Sequence, residues 1–229
     1  MTHVSKDRPG VREQQLLRKM NNPLFGEVQS GVGKDDLAQA RLEDGLEKDR
    51  FLAAFQGLIQ KAVDLQPDTP SDTVLEIKAE LDHSYQQVCA LPGDMTPVKQ
   101  SIIRLVDLIM QAIRAGAGND AHAQQQLIDE DIARKAHYEL QEIPLVAALM
   151  HPDSPIAADE LIPSLLSEPE DTLAATLTLF DERQTAALCH DAGAFLAQHD
   201  PEHRLADAWA RLQLIEAHYR RLQPSVPPN

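Results

Sequence analysis

Residues 97–115 read PVKQSIIRLVDLIMQAIRA, and the spacing of the apolar residues in this stretch decides the fold. Val98, Ile102, Leu105, Ile109 and Ile113 recur every three or four positions, the step that places side chains on one face of an α-helix. Ile103, Val106 and Met110 lie beside that row and widen the apolar face, which predicts a central helix with neighbours on several sides. The preceding stretch repeats the pattern with Val74, Ile77, Leu81, Tyr85 and Val88. Sustained alternation of period two, the mark of a half-buried strand, occurs nowhere in the chain.

Composition points the same way. Among 229 residues there are 30 Leu, 29 Ala and 19 Gln against 12 Ile, 11 Val and nine aromatics, so good helix formers outnumber strand formers. The reading is an all-α helical bundle of about six longer helices plus short helices delimited by Pro. Working outward from 97–115, helices are predicted over 35–65, 70–91, 97–115, 120–142, 156–166, 170–180, 182–199 and 202–222, with a short helical turn near 145–150. Thr69-Pro70, Thr96-Pro97, Ser154-Pro155 and Asp200-Pro201 read as an N-cap followed by the first helical residue, since the first side chain accepts an orphan amide and Pro lacks one.

The ends differ from the body. Residues 1–34 carry Pro9, Gly10, Asn21, Asn22, Pro23, Gly26, Gly31 and Gly33 with few apolar anchors, the composition of a flexible arm. That arm holds six basic and three acidic residues, a net +3, which leaves −18 on residues 35–229. Pro224 to Asn229, with three Pro, reads as a disordered tail. Residues 35–142 form the expected bundle. From Pro144 onward Pro152, Pro155, Pro163 and Pro169 cut the chain into short pieces, so 143–223 is either a helical subdomain or a continuation of the same bundle.

Several classes are excluded or set aside. The longest uninterrupted apolar run is Leu145 to Met150, far short of the ~18 residues of a spanning helix. The polar start, with Lys6, Arg8, Arg12, Arg18 and Lys19, has no apolar signal segment behind it, and a cytoplasmic location is the expectation. Cys89 and Cys189 are the two cysteines, too few and too distant for a disulfide scaffold or a thiolate zinc site; both read as buried apolar residues. Gly26, Gly31, Gly33 and Lys34 do not make a phosphate-binding loop, because Val28 and Asp35 stand where that motif needs Gly and Ser or Thr. Glu80 and His83 have the Glu-x-x-His spacing of bundle metal sites, but it occurs once and lies off the apolar stripe. His199 and His203 stand four apart across a helix start at Asp200-Pro201, so they share no helical face. No cofactor is implied.

Two short segments resemble known families. Leu188-Cys189-His190-Asp191-Ala192-Gly193 is similar to the His-Asp motif of the HD-domain phosphohydrolases, an all-helical family. That likeness implies His190 and Asp191 as ligands of a metal that activates water against a phosphate ester. The family also needs an earlier His and a later Asp, for which His151 and Asp207 are the nearest candidates. Glu168-Pro169-Glu170-Asp171-Thr172 resembles the acidic signature of the redox-enzyme maturation chaperones, helical cytoplasmic proteins that bind twin-arginine signal peptides; Thr172 stands where that family has His. This second likeness implies a maturation or export chaperone for a basic peptide.

Charge is the feature that neither motif explains. From Ala136 to Glu182 there is no Lys or Arg, while Glu139, Glu142, Asp153, Asp159, Glu160, Glu168, Glu170, Asp171, Asp181 and Glu182 supply ten acids. Such a stretch is either a solubilising surface or a docking surface for a basic partner. Nucleic acid is not that partner, because phosphate binding calls for clustered Lys and Arg. The expectation is a non-enzymatic protein-interaction or adaptor module, with Asp159, Glu160, Glu168, Glu170 and Asp171 on its interaction surface. Its partner is a protein or basic peptide, including the basic arm of a second copy; neither membrane nor nucleic acid is expected.

Overall fold

The computed structural model describes residues 8–66, 68–116 and 121–223, and among these residues the chain is all-α, with ten α-helices and no strand. In chain order they are α1 (Val11–Asn21), α2 (Lys34–Val63), α3 (Ser71–Ala90), α4 (Thr96–Gly116) and α5 (Ala121–Gln141), followed by α6 (Pro144–Met150), α7 (Leu161–Leu166), α8 (Glu170–Leu177), α9 (Glu182–His199) and α10 (Ala206–Leu222). Short 3-10 segments cover Pro23–Gly31 and Ala158–Glu160. No helix among the described residues is long and apolar enough to cross a membrane. The chain packs as two compact units, one holding residues 8–14 and 34–155 and the other 15–33 and 156–223.

In the first unit α3 touches α2, α4, α5 and α6. The central position therefore belongs to α3 rather than α4. The reason lies in α4 itself, which buries Ile102, Val106, Ile109 and Met110 but leaves Leu108 62% exposed. Its wide apolar face serves α3 and α5 and then runs into solvent. Helix α3 buries Ile77, Leu81, Tyr85 and Val88, each of the larger side chains contributing about 1.5–3 kcal/mol by leaving water. Tyr85 and Tyr138 stack with ring centroids 3.8 Å apart.

The second unit is built on α10, which packs on α7, α8 and α9. Leu165, Leu166, Leu173, Leu177, Leu196 and Ile215 are fully buried there. Helix α9 begins at Glu182 because Asp181 and Gln184 cap each other: the Gln184 N–H donates to Asp181 Oδ1 at 2.7 Å, and the Asp181 N–H donates to Gln184 Oε1 at 2.9 Å. Helix α8 stops at Leu177, short of the predicted residue 180. The N–H groups of Thr178, Leu179 and Phe180 there turn to carbonyls three residues back, a tightening that ends helices.

Proline did not mark the caps as expected. Before α4 the side chain that accepts an amide is Asp94, from Thr96 N–H at 3.0 Å. Thr69 Oγ1 bonds back to the Gln66 N–H instead of capping α3. Asp200 caps nothing at Pro201: its carboxylate takes the N–H groups of Arg204 and Leu205, both at 2.8 Å, and Trp209 Nε1–H at 3.0 Å, so α10 starts at Ala206 and not at 202. After Ser154-Pro155 the first regular turn is the 3-10 segment at 158–160.

The larger difference is in the expected arm. Residues 1–7 and the tail 224–229 lie outside the described residues. Residues 11–21, predicted to be flexible, form α1. Eleven residues without Gly or Pro, rich in Gln, Leu, Arg and Lys, separate Gly10 from Asn22-Pro23. Their helix propensity, together with contacts made by side chains far away in sequence, outweighs the Gly and Pro at either end. The first turn belongs to the first unit and residues 15–21 to the second.

Candidate interaction site

The predicted acidic stretch is divided between the two units. Glu139, Glu142 and Asp153 belong to the first unit, the other seven acids to the second. Glu142 is occupied by Lys99 at 2.6 Å and by the Tyr85 hydroxyl at 2.8 Å.

Of the five acids expected on an interaction surface, two are buried. Glu160 is 8% exposed and Glu168 4%, and with the fully buried Ser164 they follow at four-residue steps along α7 and its flanks, a spacing that aligns side chains on one helical face. What covers them is the basic half of α1. Lys19 Nζ pairs with Glu160 Oε1, and Gln15 Nε2 donates to Glu160 Oε2 at 3.3 Å and to Ser164 Oγ at 3.4 Å. Arg18 Nη1 donates to the Ser164 carbonyl at 3.3 Å, while Arg18 Nη2 meets Glu168 Oε1 at 2.5 Å. Gln15, Arg18 and Lys19 stand at i, i+3 and i+4, so one face of α1 reads one face of α7.

Glu168 has two further partners. Thr172 Oγ1–H donates to its Oε2 at 2.9 Å, and Arg211 Nε–H to its backbone carbonyl at 2.9 Å. Removing one partner from such a buried ion pair costs about 3–5 kcal/mol, because the remaining charge stays out of water. Asp159, Glu170 and Asp171 are exposed; Glu170 lies 3.7 Å from Arg211. The site is therefore an acidic strip whose two buried acids already hold cations, while its three exposed acids adjoin them in sequence.

The structure brings the candidate metal ligands into no common site. His190 and Asp191 are neighbours on the exposed side of α9, and among the described residues no group of three His, Cys, Asp or Glu is placed to hold a metal ion. His151, the nearest candidate for the earlier ligand, is in the other unit, buried and bonded through Nε2 to Glu47 at 2.7 Å. Glu80 faces solvent and pairs with Lys61 at 3.0 Å. His199 stacks on Phe195, and His203 on Trp209. Nor is there a poised thiolate: burial pushes the Cys89 thiol up to about 12, while Cys189, expected to be buried, is half-buried.

No family model, curated protein or solved structure matches this chain. The residues that sequence reasoning missed are Gln15, Arg18 and Lys19. Their signal was present: three polar side chains on one face of an uninterrupted helix-forming run, two of them opposite in charge to the acids they meet.

Proposed function

We propose that this chain is a non-enzymatic protein-interaction module whose second unit receives a cationic helical segment on the strip Asp159, Glu160, Glu168, Glu170 and Asp171. The observation that supports it most is the seating of Arg18 and Lys19 on Glu168 and Glu160: the strip already holds a basic helix through charge-assisted contacts. Three further exposed acids favour encounter with a positive partner, and Coulomb steering of this kind speeds association. The partner is a basic protein segment rather than nucleic acid, given a net −18 on residues 35–229. Two free cysteines accord with work in a reducing, cytoplasmic compartment.

The test is titration of the full chain with a labelled Arg- and Lys-containing helical peptide, followed by fluorescence anisotropy at several salt concentrations. Binding is expected to weaken as salt rises, since a pair of exposed charges is screened over about 8 Å at physiological ionic strength. It is also expected to fall in D159K/E170K/D171K. A peptide affinity indifferent both to salt and to this triple charge reversal would reject the reading.

A further inference from the structure

We propose that residues 15–21 of α1 are a displaceable internal occupant of the acidic strip, so that the chain masks its own binding surface until a partner's cationic helix takes their place. This rests on the interaction-module reading and adds its regulation.

Three observations carry it. First, residues 15–21 contain no fully buried apolar side chain. Gln15 is the one buried residue of that half, Leu16 and Leu17 are half-buried, and Met20 is 39% exposed. An apolar anchor would lose its burial on leaving. The contacts of Gln15, Arg18 and Lys19 are instead replaceable in kind by the Arg, Lys and Gln of an incoming helix, which keeps Glu160 and Glu168 paired throughout the exchange.

Second, the flanks are fastened independently. On one side Arg12 bonds Asp44 at 3.1 Å and also Glu47; on the other Leu24 and Phe25 are buried. Between them Asn22 has an extended backbone, φ −121° and ψ 120°, so α1 does not continue into the next segment. Neither anchor uses residues 15–21, and an eleven-residue helix has little stability of its own once its contacts are exchanged.

Third, the strip is larger than its occupant. Arg18 and Lys19 pair with two of its five acids, whereas Asp159 and Asp171 are exposed and Glu170, also exposed, has only Arg211 at 3.7 Å beside it. A partner helix with an adjacent Arg-Lys pair and further cations around it would engage more of the strip than α1 does. That surplus is what allows a separate chain to compete with a tethered one, whose effective concentration reaches the millimolar range.

The experiment compares the wild-type chain with R18Q/K19Q, each titrated with a labelled peptide of residues 9–21, and follows hydrogen exchange in the wild type with and without saturating peptide. Weakening the internal occupant raises the fraction of open sites, so R18Q/K19Q is expected to bind at least about tenfold more tightly. In the wild type the amides of 15–21 are expected to lose protection on peptide addition while α9 and α10 keep theirs. Equal affinities of the two chains, with 15–21 equally protected in the presence of peptide, would overturn the masking and leave the binding module standing. Absence of binding to both chains would remove masking and module together. If R18Q/K19Q proves unfolded by circular dichroism, the exchange measurement on the wild type decides alone.

Discussion

The Asp44 carboxylate, carried on α2, accepts the Glu13 backbone N–H at 3.2 Å and so caps the first turn of α1, a helix to which it does not belong. It also takes Arg12 Nη1–H at 3.1 Å. Helix starts expose four unpaired N–H groups, and α1 satisfies one of them with a buried acid from elsewhere in the chain. Gly10 permits this approach: a Cβ built there would lie 2.3 Å from Asp44 Oδ2.

Both Asp44→Ala and Gly10→Ala are therefore expected to loosen the start of α1. Loss of the cap and of the Arg12 partner in Asp44→Ala should cost about 1–3 kcal/mol in urea unfolding. Exchange at residues 11–14 should rise in both variants. A chain unaffected by Asp44→Ala would mean that α1 is not capped from α2.

Acid should weaken the first unit. Burial works against ionisation of Asp131, but bonds from Arg134, Lys135 and Arg114 outweigh it and hold the carboxyl well below its usual range. Glu142 is lowered likewise, with Lys99 and the Tyr85 hydroxyl outweighing burial. A carboxyl lowered by folding stabilises the native state above its unfolded pKa, about 3.9 for Asp and 4.3 for Glu, and that contribution is lost as pH falls toward the folded value. The urea midpoint is expected to hold between pH 7 and about pH 5 and to drop below about pH 4. Asp131→Asn and Glu142→Gln should start lower at pH 7 and decline less steeply; declines parallel to the wild type would assign the acid sensitivity to other groups.

The two thiols should separate in reactivity. With Cys89 buried and pushed up to about 12, almost no thiolate exists at pH 8, and the thiolate is the reacting form. In Cys189→Ala, a disulfide reagent at pH 8 is expected to label the chain only as denaturant unfolds it. Rapid labelling of that variant in buffer would show that α3 opens far more readily than its packing implies.

The helices from α2 onward were legible because their apolar side chains repeat at three and four residues and pack where that repeat aims them. The predicted range of α9 coincides with the observed one because Asp181 and Gln184 are a local cap. Three things were not legible. Leu108 belongs to the same apolar run as Val106 and Ile109 but faces solvent, since the run does not reveal which flank of a wide face finds a neighbour. Helix α1 was hidden because its partners, Asp44, Glu160 and Glu168, lie far away along the chain, and local composition around Gly10 and Pro23 suggested an arm. Glu160 and Glu168 read as surface acids because a charge run carries no record of which members are paired.

That distinction between buried and exposed apolar residues can be measured. Leu81, fully buried on α3, should cost about 2–5 kcal/mol when replaced by Ala, through lost transfer energy and the cavity left behind. Leu108→Ala should stay within about 0.5 kcal/mol of the wild type. Comparable losses for the two would place Leu108 in a contact that the exposed face of α4 does not show.

If the acidic strip of the second unit holds a basic helix through specific charge pairs, exchanging the charges of one pair should preserve the contact. Thermal and urea unfolding would be measured for R18E, E168R and R18E/E168R. Each single reversal sets like charges together in a buried place and is expected to cost about 3 kcal/mol or more. The double variant restores opposite charges across the same 2.5 Å contact and is expected to recover most of that loss. If the two losses simply add, Arg18 and Glu168 do not meet in solution, and the reading of this strip as a seat for a cationic helix is contradicted.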